Sequence, residues 1–375
     1  MASGPDENGR ERIVQASTPA DDAEKLAGDQ ALEERAQEAT SQTENATDTF
    51  AKDLRPRRFQ EYVGQRAVVD SISIAVLAAK KRGDTLDHAL FHGPPGLGKT
   101  TISQIIAREL DSQLIHTSGP ALERPADVVG LLSNLKVGDV LFIDEIHRLS
   151  HAVEEYLYSA MEDFRVDFMT GSGAFAKSIN LPLQPFTLIG STTRAGMLSA
   201  PLRERFGLAY HLDFYSTGEL AQVVTRSAGI LEVDIDADGA LEIARRSRGT
   251  PRISNRLLRR VRDFAEVREV GTIDKTVASE ALEIEGVDSL GLDRLDRLYL
   301  MTLSKNYQGG PAGIQALAAT INEDQQTLED VVEPFLLKIG FIVRTPQGRR
   351  TTPEGFEHIG LPPRLDGPTG QGTLL

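Results

Sequence analysis

Residues 93–100 read Gly-Pro-Pro-Gly-Leu-Gly-Lys-Thr, which fits G-x-x-x-x-G-K-[ST] without a mismatch. The glycines let the backbone curl so that successive N–H groups point at phosphate oxygens. A helix starting here adds partial positive charge. Lys99 then reaches the β- and γ-phosphates, and the Thr100 hydroxyl can sit on Mg²⁺. The flanks suit the motif: an apolar run (Ala89 to Phe91) precedes it, and a helical pattern from Thr101 to Leu110 follows.

A second chemical stretch lies about forty residues on, where Val140-Leu-Phe-Ile143 is followed by Asp144 and Glu145. A continuous apolar run of this length predicts a strand buried on both faces of a parallel sheet. Acids at its C-terminal end emerge where open α/β sheets bind ligands. Asp144 can hold the Mg²⁺ shell, and Glu145 can orient and polarise an attacking water. Alone, the acid pair is a weak signal, since acids often cap strand ends; beside the glycine loop it is strong. His147 reads as a structural histidine, not a ligand.

The elements that must position these residues follow in order. Strands are expected at Leu86 to His92, Leu114 to Thr117, Val140 to Ile143 and Phe186 to Arg194, and helices at Ala67 to Lys81, Pro125 to Leu135 and Ala152 to Phe164. Phe168 to Pro182 alternates apolar residues with Gly and Ser, as a β-hairpin does. From Glu219 to Val270 the pattern is helical throughout. Nine arginines lie between Arg245 and Arg268; the Arg-rich helix that Gly249-Thr-Pro-Arg252 starts reads by default as a solvated face, with Arg252 singled out at its Pro-initiated start. Three helical stretches (293–306, 312–322 and 325–339) precede two short strands around Thr345-Pro-Gln-Gly348, the order of a winged helix. Pro334 should kink or divide the third helix. The basic residues of that turn, Arg344, Arg349 and Arg350, have two readings: a solvated turn, or contacts to nucleic-acid phosphates that position without reading sequence.

Composition bounds the rest. A chain of 375 residues, 40% hydrophobic, holds two or three domains. It has no cysteine, so neither disulfides nor Cys-bound zinc enter, which fits a reducing cytoplasm. No apolar run approaches the ~20 residues of a membrane span, and the acidic N-terminus is unlike a secretory signal. The net charge of −14 is unevenly spread: residues 1–50 carry 12 acids against 4 bases. That segment is too polar to offset its ordering entropy and is expected to be disordered, with a transient helix between Asp21 and Ala39.

Taken together, these segments resemble the RuvB family of ATP-driven Holliday-junction branch-migration motors in the AAA+ superfamily. The likeness runs over about residues 52–362. It rests on Glu61-Tyr-Val-Gly-Gln65, the phosphate loop, Asp139 to Ser150, Ala160 to Asp163, Thr192 to Gly196, Pro201 to Gly207, Gly249 to Arg252 with Asn255 to Val267, and Arg344-Thr-Pro346. The resemblance implies an α/β fold: an AAA+ P-loop ATPase domain with a small helical lid domain and a C-terminal winged-helix domain. The expected divisions are an acidic tail at 1–51, the large ATPase domain at 52–215, the small one at 216–288, the winged-helix head at 289–362 and a flexible tail at 363–375.

It also implies roles. Leu54 and Arg55 line the nucleotide pocket; Gly96, Gly98, Lys99, Thr100 and Thr101 cradle the phosphates; Glu162, Asp163 and Phe164 form a nucleotide-contacting turn. Thr193, with Thr192 as the alternative, senses the γ-phosphate. Arg205 is an arginine finger serving the neighbouring subunit, which makes a hexameric ring part of the mechanism. Tyr215 and Arg252 close on nucleotide. Arg344 and Arg349 contact the DNA backbone. Ile179 and Leu181 present apolar side chains to the junction-binding partner RuvA, against the alternative that they pack on their own domain. ATP and Mg²⁺ are the implied cofactors. Holliday-junction DNA and a wider complex with the resolvase RuvC are the implied partners, with cytoplasmic location, no membrane, and roles in recombination, repair and the SOS response. The long tail and Gln347 depart from the family pattern. Two rivals share the chemistry: a nucleotide-gated loader, and a protein-remodelling ATPase, which usually needs an aromatic pore loop that is lacking between the second and third core strands.

Overall fold

The computed structural model describes residues 54–170 and 177–362, with backbone alone at 168–170 and 177–178. The acidic segment 1–51, residues 171–176 within the expected hairpin stretch, and the expected C-terminal tail 363–375 lie outside the described residues.

Five parallel strands form the central sheet: β1 (Ala89–His92), β2 (Leu114–Ser118), β3 (Val140–Asp144), β6 (Thr187–Thr192) and β7 (Leu208–His211), in the order β2-β3-β6-β1-β7. The apolar runs are continuous because both faces are covered. On one face Ala89, Phe91, Val140, Phe142 and Ile189 pack against α1 (Arg66–Arg82) and α2 (Lys99–Glu109) through Ile72, Val76, Ile102 and Ile106. On the other, Leu90, Leu141, Ile143 and Leu188 meet α3 (Pro125–Ser133), α4 (His151–Asp163) and α5 (Ala200–Glu204) through Leu132, Leu157 and Leu202.

Strand β7 is absent from the sequence reading. It is an edge strand whose residues alternate between half-buried and exposed, so it lacks the apolar run that marks its neighbours. Its signal was the four-residue alternation after Gly207, with Leu208 and Tyr210 turned to the core.

Between β3 and β6 the chain makes the expected hairpin, β4 (Arg165–Thr170) with β5 (Lys177–Pro182), antiparallel with Val166 opposite Leu181 and Phe168 opposite Ile179. The smaller helical part comprises α6 (Thr217–Ile230), α7 (Ala237–Arg245), α8 (Pro251–Val267) and α9 (Lys275–Ile284) around Val224, Ile243, Leu258 and Val261. In α8 several of the arginines are exposed or paired with Asp263 and Glu266, a solvated basic face.

The last part packs α10 (Arg294–Met301), α11 (Ile314–Ile321), α12 (Glu333–Lys338) and α13 (Pro353–His358) with the hairpin β8 (Ile342–Thr345)–β9 (Gly348–Thr351) around Tyr299, Leu303, Leu317 and Leu336. The expected helical stretch 325–339 is divided, and Pro334 stands at the start of its last segment. The turn before it, Leu328–Val332, widens to a π-helix, and the proline falls in the first turn of α12. Its missing N–H is thus absorbed where hydrogen-bond spacing already changes.

Candidate nucleotide site

The sheet order brings the chemistry together. Strands β3, β6 and β1 are neighbours and end at one edge, with His92 level with Thr192 and Ile143 with Gly190. The phosphate loop leaves β1, Asp144 and Glu145 leave β3, and Thr193 leaves β6.

Within the loop, Gly96 (φ 80°) and Gly98 (φ 99°) have backbones that side-chain-bearing residues rarely adopt. Space forbids a side chain as well: a Cβ on Gly96 would lie 2.9 Å from Thr250 Cγ2 and 3.2 Å from Arg252 Cβ, and one on Gly98 2.5 Å from the Tyr62 hydroxyl. Lys99 opens α2, and its buried ammonium donates to the carbonyls of Gly93 (2.8 Å) and Pro94 (2.9 Å). An ammonium has three N–H groups, so one remains for a ligand oxygen. Burial pushes the Lys99 pKa down, opposed by the charges of Glu145 and Asp144. Thr100 and Thr101 stand half-buried in the first turn of α2. A glycine cradle that excludes side chains, a buried ammonium and a hydroxyl at a helix start fit a nucleotide's phosphates and their cation.

Asp144 accepts from Ser191 Oγ and from the Glu145 backbone N–H (3.0 Å). Glu145 is left-handed (φ 49°), which turns its side chain off the strand. Its Oε2 accepts from Thr193 Oγ1 at 3.3 Å and lies 3.2 Å from His147 Nδ1. Thr192 is fully buried, with its hydroxyl 2.8 Å from His147 Nδ1. Of the two threonines, Thr193 therefore faces the acid pair. His147 is buried, and burial pushes its pKa down. Ser191 and His147 support the acids without having been assigned that work; Ser191's only signal was its position on β6 two residues before Thr193.

The lid closes over the loop. Arg252, exposed at the start of α8, donates its backbone N–H to Gly96 O (3.4 Å). The hydroxyls of Tyr62 and Tyr215 meet at 3.1 Å and both donate to Leu97 O. Burial raises both phenols, Tyr62 to about 12. Leu54 and Arg55 form the turn at the start of the described residues.

Arg205 belongs to a second cluster. It donates to Glu162 Oε2 (2.9 Å) and Pro201 O (2.9 Å), and its guanidinium lies 4.8 Å from the Tyr158 ring centre. Among the described residues none of these partners belongs to the phosphate loop. Asp163 pairs with Arg165 (2.9 Å), and Phe164 packs edge-on against Phe186. Glu162 and Arg205 are thus together, apart from Lys99.

On the hairpin, Ile179 is 43% exposed, while Leu181 on the same face packs against the core. On the wing, Arg344 and Arg349 both bind Glu333, a carboxylate with no exposure: Arg344 Nε at 2.8 Å and Arg349 Nε at 2.8 Å. Arg349 also reaches Glu329 (3.1 Å), and Tyr299 donates to Glu333 Oε1 (2.8 Å). No described helix is long and apolar enough to cross a membrane.

A parallel β2-β3-β6-β1-β7 sheet carrying a phosphate loop, an Asp-Glu pair and a helical lid, followed by a winged helix, defines an AAA+ P-loop ATPase. Three family models match in sequence: "Holliday junction DNA helicase RuvB P-loop domain" over residues 54–212, "RuvB AAA lid domain" over 215–288 and "RuvB C-terminal winged helix domain" over 289–360. The chain belongs to the RuvB family. It is 54% identical over 314 residues to the "Holliday junction branch migration complex subunit RuvB" of Latilactobacillus sakei, covering 84% of this chain and 94% of that protein. Among solved structures, the "RuvB Holliday junction branch migration motor" of Thermotoga maritima superposes with a TM-score of 0.77 at 46% identity, over 83% of this chain and 100% of that one. A mutant of the same RuvB gives 0.78 at 47% identity, over 83% and 99%.

Proposed function

We propose that the chain is the ATP-hydrolysing subunit of a motor that moves Holliday junctions during recombination and repair. The observation that carries this reading is the gathering of Lys99, Asp144, Glu145 and Thr193 at one sheet edge, in a chain that also bears a winged head. Lys99 binds the phosphates through its remaining N–H. Thr193 and His147 hold the Glu145 carboxylate, which orients the attacking water. Thr100 and Asp144 would hold Mg²⁺, which would offset phosphate charge. Tyr215 and Arg252 enclose the nucleotide.

Arg205 and Glu162 serve the site of the next subunit. This accounts for a finger paired away from its own phosphate loop, and it makes turnover depend on a homohexamer. The domain divisions at 52–215, 216–288 and 289–362 separate chemistry, lid and DNA contact. Arg344 is the better placed of the two wing arginines for phosphate, being half exposed, and Ile179 the better placed of the two hairpin residues for RuvA. The names of the relatives support the junction as substrate. RuvC as a further partner, a cytoplasmic location and a role in the SOS response belong to the same reading.

Turnover measured alone, with duplex and with a four-way junction tests it. We expect stimulation by DNA that Glu145→Gln abolishes; turnover indifferent to every DNA form would sink the reading.

A further inference from the structure

The residue after the sensor threonine is tied to the head. Arg194 donates from Nε to Asp330 Oδ1 (2.9 Å) and from its terminal nitrogen to Glu329 Oε2 (3.2 Å). Glu329 is shared: its Oε1 accepts from Arg349 (3.1 Å), which in turn binds Glu333, as Arg344 does. At its other end, Arg194 donates its backbone N–H to Thr192 Oγ1 (2.9 Å), whose hydroxyl meets His147 beside Glu145. An unbroken series of polar contacts thus runs from the acid pair to the wing.

We infer that Arg194 is a positioning residue coupling nucleotide state to DNA contact, with Glu329, which holds Arg194 on one oxygen and Arg349 on the other, as the carboxylate that links them. The inference rests on the reading that Thr193 faces the γ-phosphate and that the wing meets DNA. Two features carry it. The ties are only about one-quarter exposed or less (Arg194 27%, Glu329 22%, Asp330 21%, Arg349 16%), so solvent screens them less than surface pairs. Glu329 and Asp330 also lie in the π-helical turn Leu328–Val332, a stretch where hydrogen-bond spacing departs from the regular helix.

The consequence is a trade. A DNA phosphate that draws on the half-exposed Arg344 loosens its hold on Glu333, frees Arg349 to turn to that carboxylate, and leaves Glu329 to Arg194. A shift of the β6 tip on phosphate loss draws Arg194 from Glu329 and leaves that carboxylate to Arg349 alone. Such coupling is reciprocal: DNA must tighten or loosen nucleotide by the same factor as nucleotide does DNA. A pair that merely docks the head would lower stability when cut but leave that factor unchanged.

The test uses the full chain and a non-hydrolysable ATP analogue. Its affinity is measured without DNA and with saturating duplex, and the ratio is the coupling factor. We expect a wild-type ratio of about fivefold or more in either direction, falling to near unity in Arg194→Gln and in Asp330→Asn. Affinity for each ligand alone should stay close to wild type. The exchange Arg194→Asp with Asp330→Arg should restore part of the ratio, which separates lost charge pairing from misfolding. A wild-type ratio retained in Arg194→Gln overturns the coupling assignment and leaves the motor reading intact. A wild-type chain that binds no duplex overturns the motor reading, and the coupling with it.

Discussion

The phosphate loop and the wing both set basic side chains near acids, but they leave different things free. Lys99 spends two N–H groups on carbonyls of its own loop and keeps one for a ligand. On the wing, Arg349 is 16% exposed and spends its guanidinium on Glu333 and Glu329. Arg344 also binds Glu333 but is 50% exposed. The first site keeps a donor for a ligand. The second is organised around a buried carboxylate already present, and only its outer members are placed to meet another charge. A basic residue in a motif is thus not yet a ligand contact; what it has already bound decides.

Cutting each site should show the difference. The largest effect is expected at the finger: Arg205→Ala should lower turnover by about 10³-fold while nucleotide still binds. In rings mixed with wild-type subunits the mutant should poison its neighbour; undiminished turnover per wild-type subunit would refute action across the interface.

Next comes the wing. Arg349→Ala leaves Glu333 buried with part of its pairing gone and should destabilise the fold by about 3 kcal/mol in chemical denaturation. Arg344→Ala, at the solvent side of the same carboxylate, should cost clearly less stability. Equal losses would contradict the division between clamp and contact. In DNA titrations, Arg344→Ala should lower the salt dependence of duplex binding by about one unit of slope. An unchanged slope would remove Arg344 from the interface.

The smallest expected effect is on the hairpin. Ile179→Ser should weaken RuvA binding by about tenfold with little change in stability, whereas Leu181→Ser should chiefly destabilise, since Leu181 packs on the core. The opposite pattern would reverse the two assignments.

The same contrast explains what could be read from residue order. Lys99, Asp144 and Glu145 were legible because loop spacing and an apolar strand end carry the chemistry locally. The choice of Thr193 over Thr192 was not: it depends on which hydroxyl points to Glu145 and which to His147. The pairing of Arg349 with Glu333 joins a strand to a helix sixteen residues earlier, a contact no local pattern announces. Strand β7 escaped because an edge strand, buried on alternate residues only, has no continuous apolar run. Pro334 announced the division of the third helix, but nothing local announced the π-helical turn before it.

The proposed function requires that hydrolysis at this site moves DNA. The direct measurement is separation of a synthetic four-way junction into two duplexes, with ATP and Mg²⁺, with and without RuvA, beside Glu145→Gln. We expect separation that requires ATP, rises with RuvA and is lost in Glu145→Gln although nucleotide still binds. DNA-stimulated turnover with no strand separation, even with RuvA present, would contradict it and favour a nucleotide-gated loader.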